Sequence, residues 1–121
     1  IFLRMAWHNE TGKTGEKLAA DWLEKKGFTI LEKNWRHKRL EVDIIAEKDN
    51  LLHFIEVKSR SSQNYGLPEE SVSLKKIENL LNASVEYLNR YPTQKRIQFD
   101  VLAITIQKDN AKYFFIEDVY L

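Results

Sequence analysis

Apolar residues recur at helical spacing in two stretches of this chain and form extended, β-prone runs in five others. From about Asn9 to Lys26, the residues Leu18, Ala19, Trp22 and Leu23 line one side of a predicted helix, and Gly27 follows as its stop. Phe28-Thr29-Ile30-Leu31 predicts a strand running toward Trp35. A basic turn, Arg36-His37-Lys38-Arg39, leads into a strand over 41–46. Asp49-Asn50, two residues that tolerate positive φ, make a tight turn into a returning strand over 51–58. Residues 59–67 are polar and read as a loop. Ser73 is placed to cap a second helix with Ile77, Leu80, Leu81, Val85 and Leu88 on its apolar face and Ser84 small enough to sit among them. Pro92 closes the next connection. The run 97–106, with Phe99, Val101 and Ala103 alternating, and the run 113–119 complete the set. The order α-β-β-β-α-β-β predicts an α/β domain around a mixed sheet.

A turn at Asp49-Asn50 fixes the register of the hairpin it closes. Lys48 pairs with Leu51, and counting outward sets Asp43 opposite Glu56 and Glu41 opposite Lys58. Opposed side chains share a face, as do Glu56 and Lys58 on one strand. The same register sets Val42 and Ile44 against Val57 and Ile55 as an apolar patch on the other face.

Two facing carboxylates repel unless a proton or cation lies between them. Mg²⁺ (or Mn²⁺) suits such a pair, because it binds through one or two carboxylates, keeps several waters and accepts phosphate oxygens. The carbonyl of Val57 would add an oxygen ligand, and Lys58 would orient a water and offset developing negative charge. The implied reaction is phosphodiester hydrolysis. A cross-strand ion-pair ladder, worth ~0.2–1 kcal/mol a pair, would use the same residues. What favours the metal site is that its charges interrupt very apolar strands.

Composition narrows the setting. The 121 residues fit one domain, residues 1–121, with Met5 read as the natural start and 1–4 as extra residues ahead of it. Cysteine is absent, which excludes disulfide frameworks and thiolate metal sites. No apolar run approaches ~20 residues, and Ile1-Phe2-Leu3-Arg4 is too short for a signal peptide, so the expected location is cytoplasmic. A net charge of +1, from 19 basic and 18 acidic residues, means that any nucleic-acid surface must be local. Arg36, Lys38 and Arg39 beside Trp35 are one candidate for gripping phosphates, with Arg60, Lys75 and Lys76 extending the rim; a solvated turn with Trp35 in the core fits the same residues. Tyr65-Gly66-x-Pro68 reads as a flap over the centre or as an ordinary loop.

Two other motifs fail. Gly12-Lys13-Thr14 lacks the glycine five residues earlier and the preceding strand that a phosphate-binding loop needs. His8, His37 and His53 show no zinc-ligand spacing, and His53 is expected beside Ala46 or at the sheet edge.

Taken together, His8-Asn9, Gly12-x-x-Gly15-Glu16, Gly27-Phe28, Asn34-Trp35-Arg36, Glu41-Val42-Asp43-Ile44-Ile45, Phe54-Ile55-Glu56-Val57-Lys58-x-Arg60, Gly66-x-Pro68-x-Glu70, Lys76 and Phe99-Asp100-Val101 resemble the YraN family of predicted bacterial endonucleases. That family is related to archaeal Holliday junction resolvases and to the PD-(D/E)xK nuclease superfamily. The resemblance implies a restriction-endonuclease-like αβββαβ core, metal binding by Asp43 and Glu56, a catalytic base or water-orienting role for Lys58, and a Glu16 that points to the same centre. Helical spacing permits the last, since Glu16 falls beside Ala19, Ala20 and Leu23; a capping or solvated acid is the plainer reading. Leu40 and Gln98 depart from the pattern, standing where Gly and Arg are usual. The function so implied is a metal-dependent endonuclease on DNA, branched or otherwise structured, working as a homodimer by analogy. The alternatives are a non-catalytic nucleic-acid-binding module on the same fold and an interaction protein with a vestigial acidic cluster.

Overall fold

The computed structural model describes residues 2–61 and 73–119, with side chains from residue 14 onward. Helix α1 spans Phe2–Lys25. Strands β1 (Thr29–His37), β2 (Leu40–Lys48) and β3 (Leu51–Ser61) form a meander. Helix α2 (Leu74–Arg90) crosses over to β4 (Arg96–Ile106), and β5 (Ala111–Ile116) returns beside it. The sheet runs β1-β2-β3-β4-β5, parallel only between β3 and β4. This is a mixed α/β fold of a five-stranded sheet with two helices, consistent with the restriction-endonuclease-like class.

The two helices cover opposite faces because consecutive strand residues point opposite ways. Ala19, Ala20 and Leu23 of α1 pack on Ile44, Ala46, Ile55, Leu102 and Ile104. Leu80, Ala83 and Tyr87 of α2 pack on Val42, Ile45, Phe54 and Phe99. Covered on both sides, β4 is buried continuously from Phe99 to Ile104, as strands in parallel pairing tend to be.

Turn and cap chemistry behave as their residue types require. Asp49 and Asn50 both have positive φ, 54° and 63°, the pair of values a two-residue hairpin turn needs. Ser73 Oγ accepts the Lys76 N–H at 3.2 Å and opens α2.

Several expectations need correction. Helix α1 begins at Phe2 rather than near Asn9, its first turns built on good helix formers such as Leu3, Arg4, Met5 and Ala6. Strand β3 runs on through Ser61, where a loop was expected, because β4 pairs with it as far as Ile106. The rest of that expected loop, with the Tyr65-Gly66-x-Pro68 flap and Glu70, lies outside the described residues. Strand β5 ends at Ile116, three residues short, because the chain then turns back so that Val119 N–H reaches the Phe99 carbonyl at 2.7 Å. On α2 the buried stripe is Leu80, Ala83, Ser84 and Tyr87, at i, i+3, i+4 and i+7, while Val85 is 50% exposed. The stripe swings that way because Tyr87 packs edge-on against Trp35 and Phe54, a larger apolar contact than Val85 could make.

Candidate functional site

The hairpin register holds pair by pair from Lys48↔Leu51 to Ile44↔Ile55 and stops there, one step before Asp43 and Glu56. Beyond that point β2 and β3 part. Val57 N–H donates to Asp43 Oδ2 at 2.8 Å, so a side chain occupies the place of a ladder carbonyl. The pleat of β2 is interrupted at the same residue: Val42 packs on the α2 side and Ile44 on the α1 side, not together as an unbroken register required. Its neighbour on β1, Asn34, has φ 53° and drops out of the pairing between Lys33↔Ile44 and Trp35↔Val42. Glu41 is accordingly paired with Arg36 across β1–β2, at 3.5 Å, and not with Lys58. The break in regular structure turns Asp43 into a bridge between strands.

Several acids gather there. Burial, first, and then the charge of Glu56 push the Asp43 carboxyl up to about 7, with smaller pushes from Glu41 and Glu16 and partial relief from the Val57 N–H. Burial likewise raises Glu56, against which the Lys76 and Lys58 ammoniums act. Lys76, reaching from the first turn of α2, lies 3.9 Å from Glu56 Oε1. Its own pKa is lowered by burial and by the adjacent Lys58, while Glu56 and Asp43 hold it up.

Helix α1 supplies the remaining wall. Gly15 packs so tightly on β3 that an added Cβ would lie 1.8 Å from Ser59 Oγ and 2.8 Å from its Cβ. That approach brings the next residue, Glu16, to the site, where Asn34 Nδ2 donates to its Oε2 at 3.3 Å. Glu16, Lys17, Lys33, Asn34 and Asp43 line a recess of about 220 Å³.

The structure therefore brings Asp43, Glu56, Lys58, Glu16 and Lys76 to one neighbourhood. On the β1–β2 turn, Lys38 and Arg39 are exposed, and Arg36 is engaged by Glu41. Trp35 is in the core at 8% exposure. Arg60 points to β4, its Nε donating to Thr105 Oγ1 at 3.4 Å. Sequence reasoning assigned no site role to Glu41 and Asn34. Glu41's signal was available, an acid two residues before Asp43; Asn34's backbone break had none.

Among the described residues no group of three or more His, Cys, Asp and Glu side chains converges as a metal cage. The donor set suits a hard cation held by two carboxylates and water. Asp43 and Glu56 are oxygen donors whose mutual repulsion a divalent cation would relieve, and Asp43 has a second oxygen that accepts no hydrogen bond among the described residues.

Residues 15–104 match the family model described as "Uncharacterised protein family UPF0102". The chain belongs to the UPF0102 family. A UPF0102 protein of Flavobacterium psychrophilum is 41% identical over 116 residues, covering 96% of this chain and 98% of that one. Another, from Flavobacterium johnsoniae, is 45% identical over 117 residues and 93% of both chains, and one from Bacteroides thetaiotaomicron is 36% identical over 96% of both. The span matched to UPF0102 contains Glu16, Asp43, Glu56, Lys58 and Lys76, and stops within β4, before β5 begins. No helix of the described residues is long and apolar enough to cross a membrane.

Proposed function

We propose that this chain is a metal-dependent endonuclease hydrolysing phosphodiester bonds in DNA, branched or structured DNA above all, as its resemblance to the YraN proteins and the PD-(D/E)xK nucleases implies. The observation that carries the proposal is the Asp43–Glu56 pair at the point where β2 and β3 part: two partly buried acids, each raised by burial, with Asp43 raised further by Glu56. A fold gains nothing from that repulsion, whereas a divalent cation resolves it.

Asp43, Glu56 and the Val57 carbonyl would hold Mg²⁺ or Mn²⁺. When bound, such an ion lowers the pKa of a coordinated water and offsets charge on the phosphoryl oxygens. Lys58 orients the attacking water and balances the charge that develops. Lys76 steadies Glu56 and keeps Lys58 company as a second cation facing the phosphate. Glu16, tethered by Asn34, adds negative potential on the α1 side. Lys38 and Arg39, with Arg36 and Arg60, offer backbone contacts to DNA outside the reacting group. A homodimer in the cytoplasm, acting on two-fold substrates, is the matching assembly.

Cleavage of linear, flapped and four-way DNA with Mn²⁺ or Mg²⁺ tests this. Wild type should cut, and Glu56→Gln and Lys58→Ala should each lose on the order of a hundredfold or more in rate. Equal cleavage by all three refutes the mechanism. One observation favours a second reading, a non-catalytic nucleic-acid-binding module: the Lys76 ammonium lies 3.9 Å from Glu56 Oε1 and answers part of its charge. Calorimetry separates the two, since that module would give no metal heat and would bind DNA unchanged in Asp43→Asn.

A further inference from the structure

A cavity of about 330 Å³ lies away from Asp43, between the end of α1 and the β2–β3 hairpin tip. Its walls are Trp22, Phe28 and Phe115, and its inner surface includes His53 and Gln98. His53 is 3% exposed and stands on the central strand beside Ala46, not at a sheet edge. Its Nδ1 is 2.8 Å from Oδ2 of Asp100, a carboxylate with no solvent exposure. Asp100 Oδ1 accepts from Gln98 Nε2 at 2.8 Å and from Asp118 N–H at 3.0 Å.

This network fixes the histidine. A buried carboxylate on Nδ1 makes that nitrogen the donor and leaves Nε2 as the outward nitrogen of the ring. Among the described residues His53 makes no other hydrogen bond, and no fully buried side-chain nitrogen or oxygen lacks a partner. Nε2 is therefore the atom that reaches the cavity. At the mouth, Lys26 Nζ stands 5.3 Å over the Trp22 ring and Lys48 Nζ 5.1 Å over the Phe28 ring, and neither forms an ion pair with a described residue. Asp49 and Glu117 share the rim.

We infer that this cavity is a binding site for a nucleoside 5′-monophosphate unit, separate from the Asp43–Glu56 centre. Each feature matches one part of that ligand. The aromatic walls suit a base, and the volume falls at the low end of the roughly 300–1,000 Å³ typical of small-molecule sites, enough for a single nucleotide. His53 Nε2 hydrogen-bonds a polar edge of the base. The lysines, held over rings without acidic partners, meet the phosphate. Asp49 and Glu117 accept from sugar hydroxyls or amino groups, a use that a simple aromatic acid would leave idle. A metal does not fit, because two ammoniums stand at the mouth.

Calorimetric titration of the full chain with each of the four ribonucleoside 5′-monophosphates, the parent nucleosides and inorganic phosphate tests the site. At least one nucleotide should bind saturably, with its nucleoside and phosphate each roughly tenfold weaker or more. The double variant Lys26→Ala/Lys48→Ala should reduce the nucleotide to the affinity of its nucleoside. His53→Gln should weaken nucleotide and nucleoside alike, by roughly tenfold, the loss of one good hydrogen bond. Glu56→Gln should bind nucleotide like wild type, so failure of the nuclease reading leaves this one standing. A 5′-phosphorylated oligonucleotide preferred over its 5′-hydroxyl form identifies a strand end as the source; no preference identifies the free nucleotide. Absence of saturable binding by all four nucleotides, or undiminished binding in the double-lysine variant, overturns the inference.

Discussion

Asp100 and Asp43 sit in the same sheet and show opposite ways of keeping an acid inside a protein. Asp100 has no exposure at all, and both its oxygens are answered, one by His53 and the other by Gln98 and the Asp118 N–H. Asp43 is less enclosed, has a single donor among the described residues in Val57 N–H, and faces Glu56, Glu41 and Glu16. The more buried carboxylate is the better satisfied one. Burial alone thus does not mark a reactive site; unanswered charge does. Asp100 holds the chain after β5 to β4 and points His53, whereas Asp43 retains a demand that only a proton or a cation meets.

The sharpest way to break this contrast is to remove each acid. Asp100→Ala strands the His53 and Gln98 donors and the Asp118 N–H together, and should cost about 3–5 kcal/mol, the loss expected when one partner of a buried polar pair is deleted. Urea denaturation measures it, and a loss below about 1 kcal/mol would mean that Asp100 is not the hub described.

Asp43→Asn should act with the opposite sign. The carboxyl titrates near 7 in the folded chain against an ordinary 3.8, so the native state holds the extra proton across that window. The stability that Asp43 contributes is then fully present below about 3.8 and is lost as pH rises through 7. The asparagine variant, carrying no charge, should lose less. Measured in EDTA at pH 8.5, it should exceed wild type by at most about 4 kcal/mol and match it more closely at pH 4.5. A variant weaker than wild type at pH 8.5 would reverse the reading of Asp43 as an unsatisfied acid.

Divalent metal sharpens the contrast further. At a hundred times its Kd, Mn²⁺ should stabilise wild type by about 2.7 kcal/mol. The gain should grow from pH 6 to pH 8, because the metal competes with the Asp43 proton. Asp43→Asn should gain almost nothing, and Gln98→Ala, altered only at the other acid, should gain as much as wild type. Equal stabilisation of all three in thermal melts would place the metal elsewhere.

How much of this was legible beforehand follows from the range of the forces involved. Asp49 and Asn50 set the hairpin register by local turn preference, and the pairing follows it as far as Ile44↔Ile55. The juxtaposition of Asp43 and Glu56 was legible for that reason. The parting of the strands was not, because it depends on Asn34 adopting φ 53° and on Val57 N–H choosing a side chain over a carbonyl. Lys76 was legible as a cation but not as a neighbour of Glu56, since that contact needs the crossover through α2. His53 looked like a stray histidine because its partner lies 47 residues away on a parallel strand.

The smallest effect expected is at Gln98, where the resemblance would have an arginine. Its amide donates one of three hydrogen bonds to Asp100, and it is only partly buried, so water can replace part of what it gives. Gln98→Ala should therefore cost roughly 1 kcal/mol, well short of Asp100→Ala, because His53 and the Asp118 N–H still answer the carboxylate. Gln98→Arg should recover that loss through a charge-assisted bond to the same oxygen. If Gln98→Ala instead destabilises as much as Asp100→Ala, the carboxylate depends on one donor rather than three, and Asp100 then differs from Asp43 in burial but not in how it is satisfied.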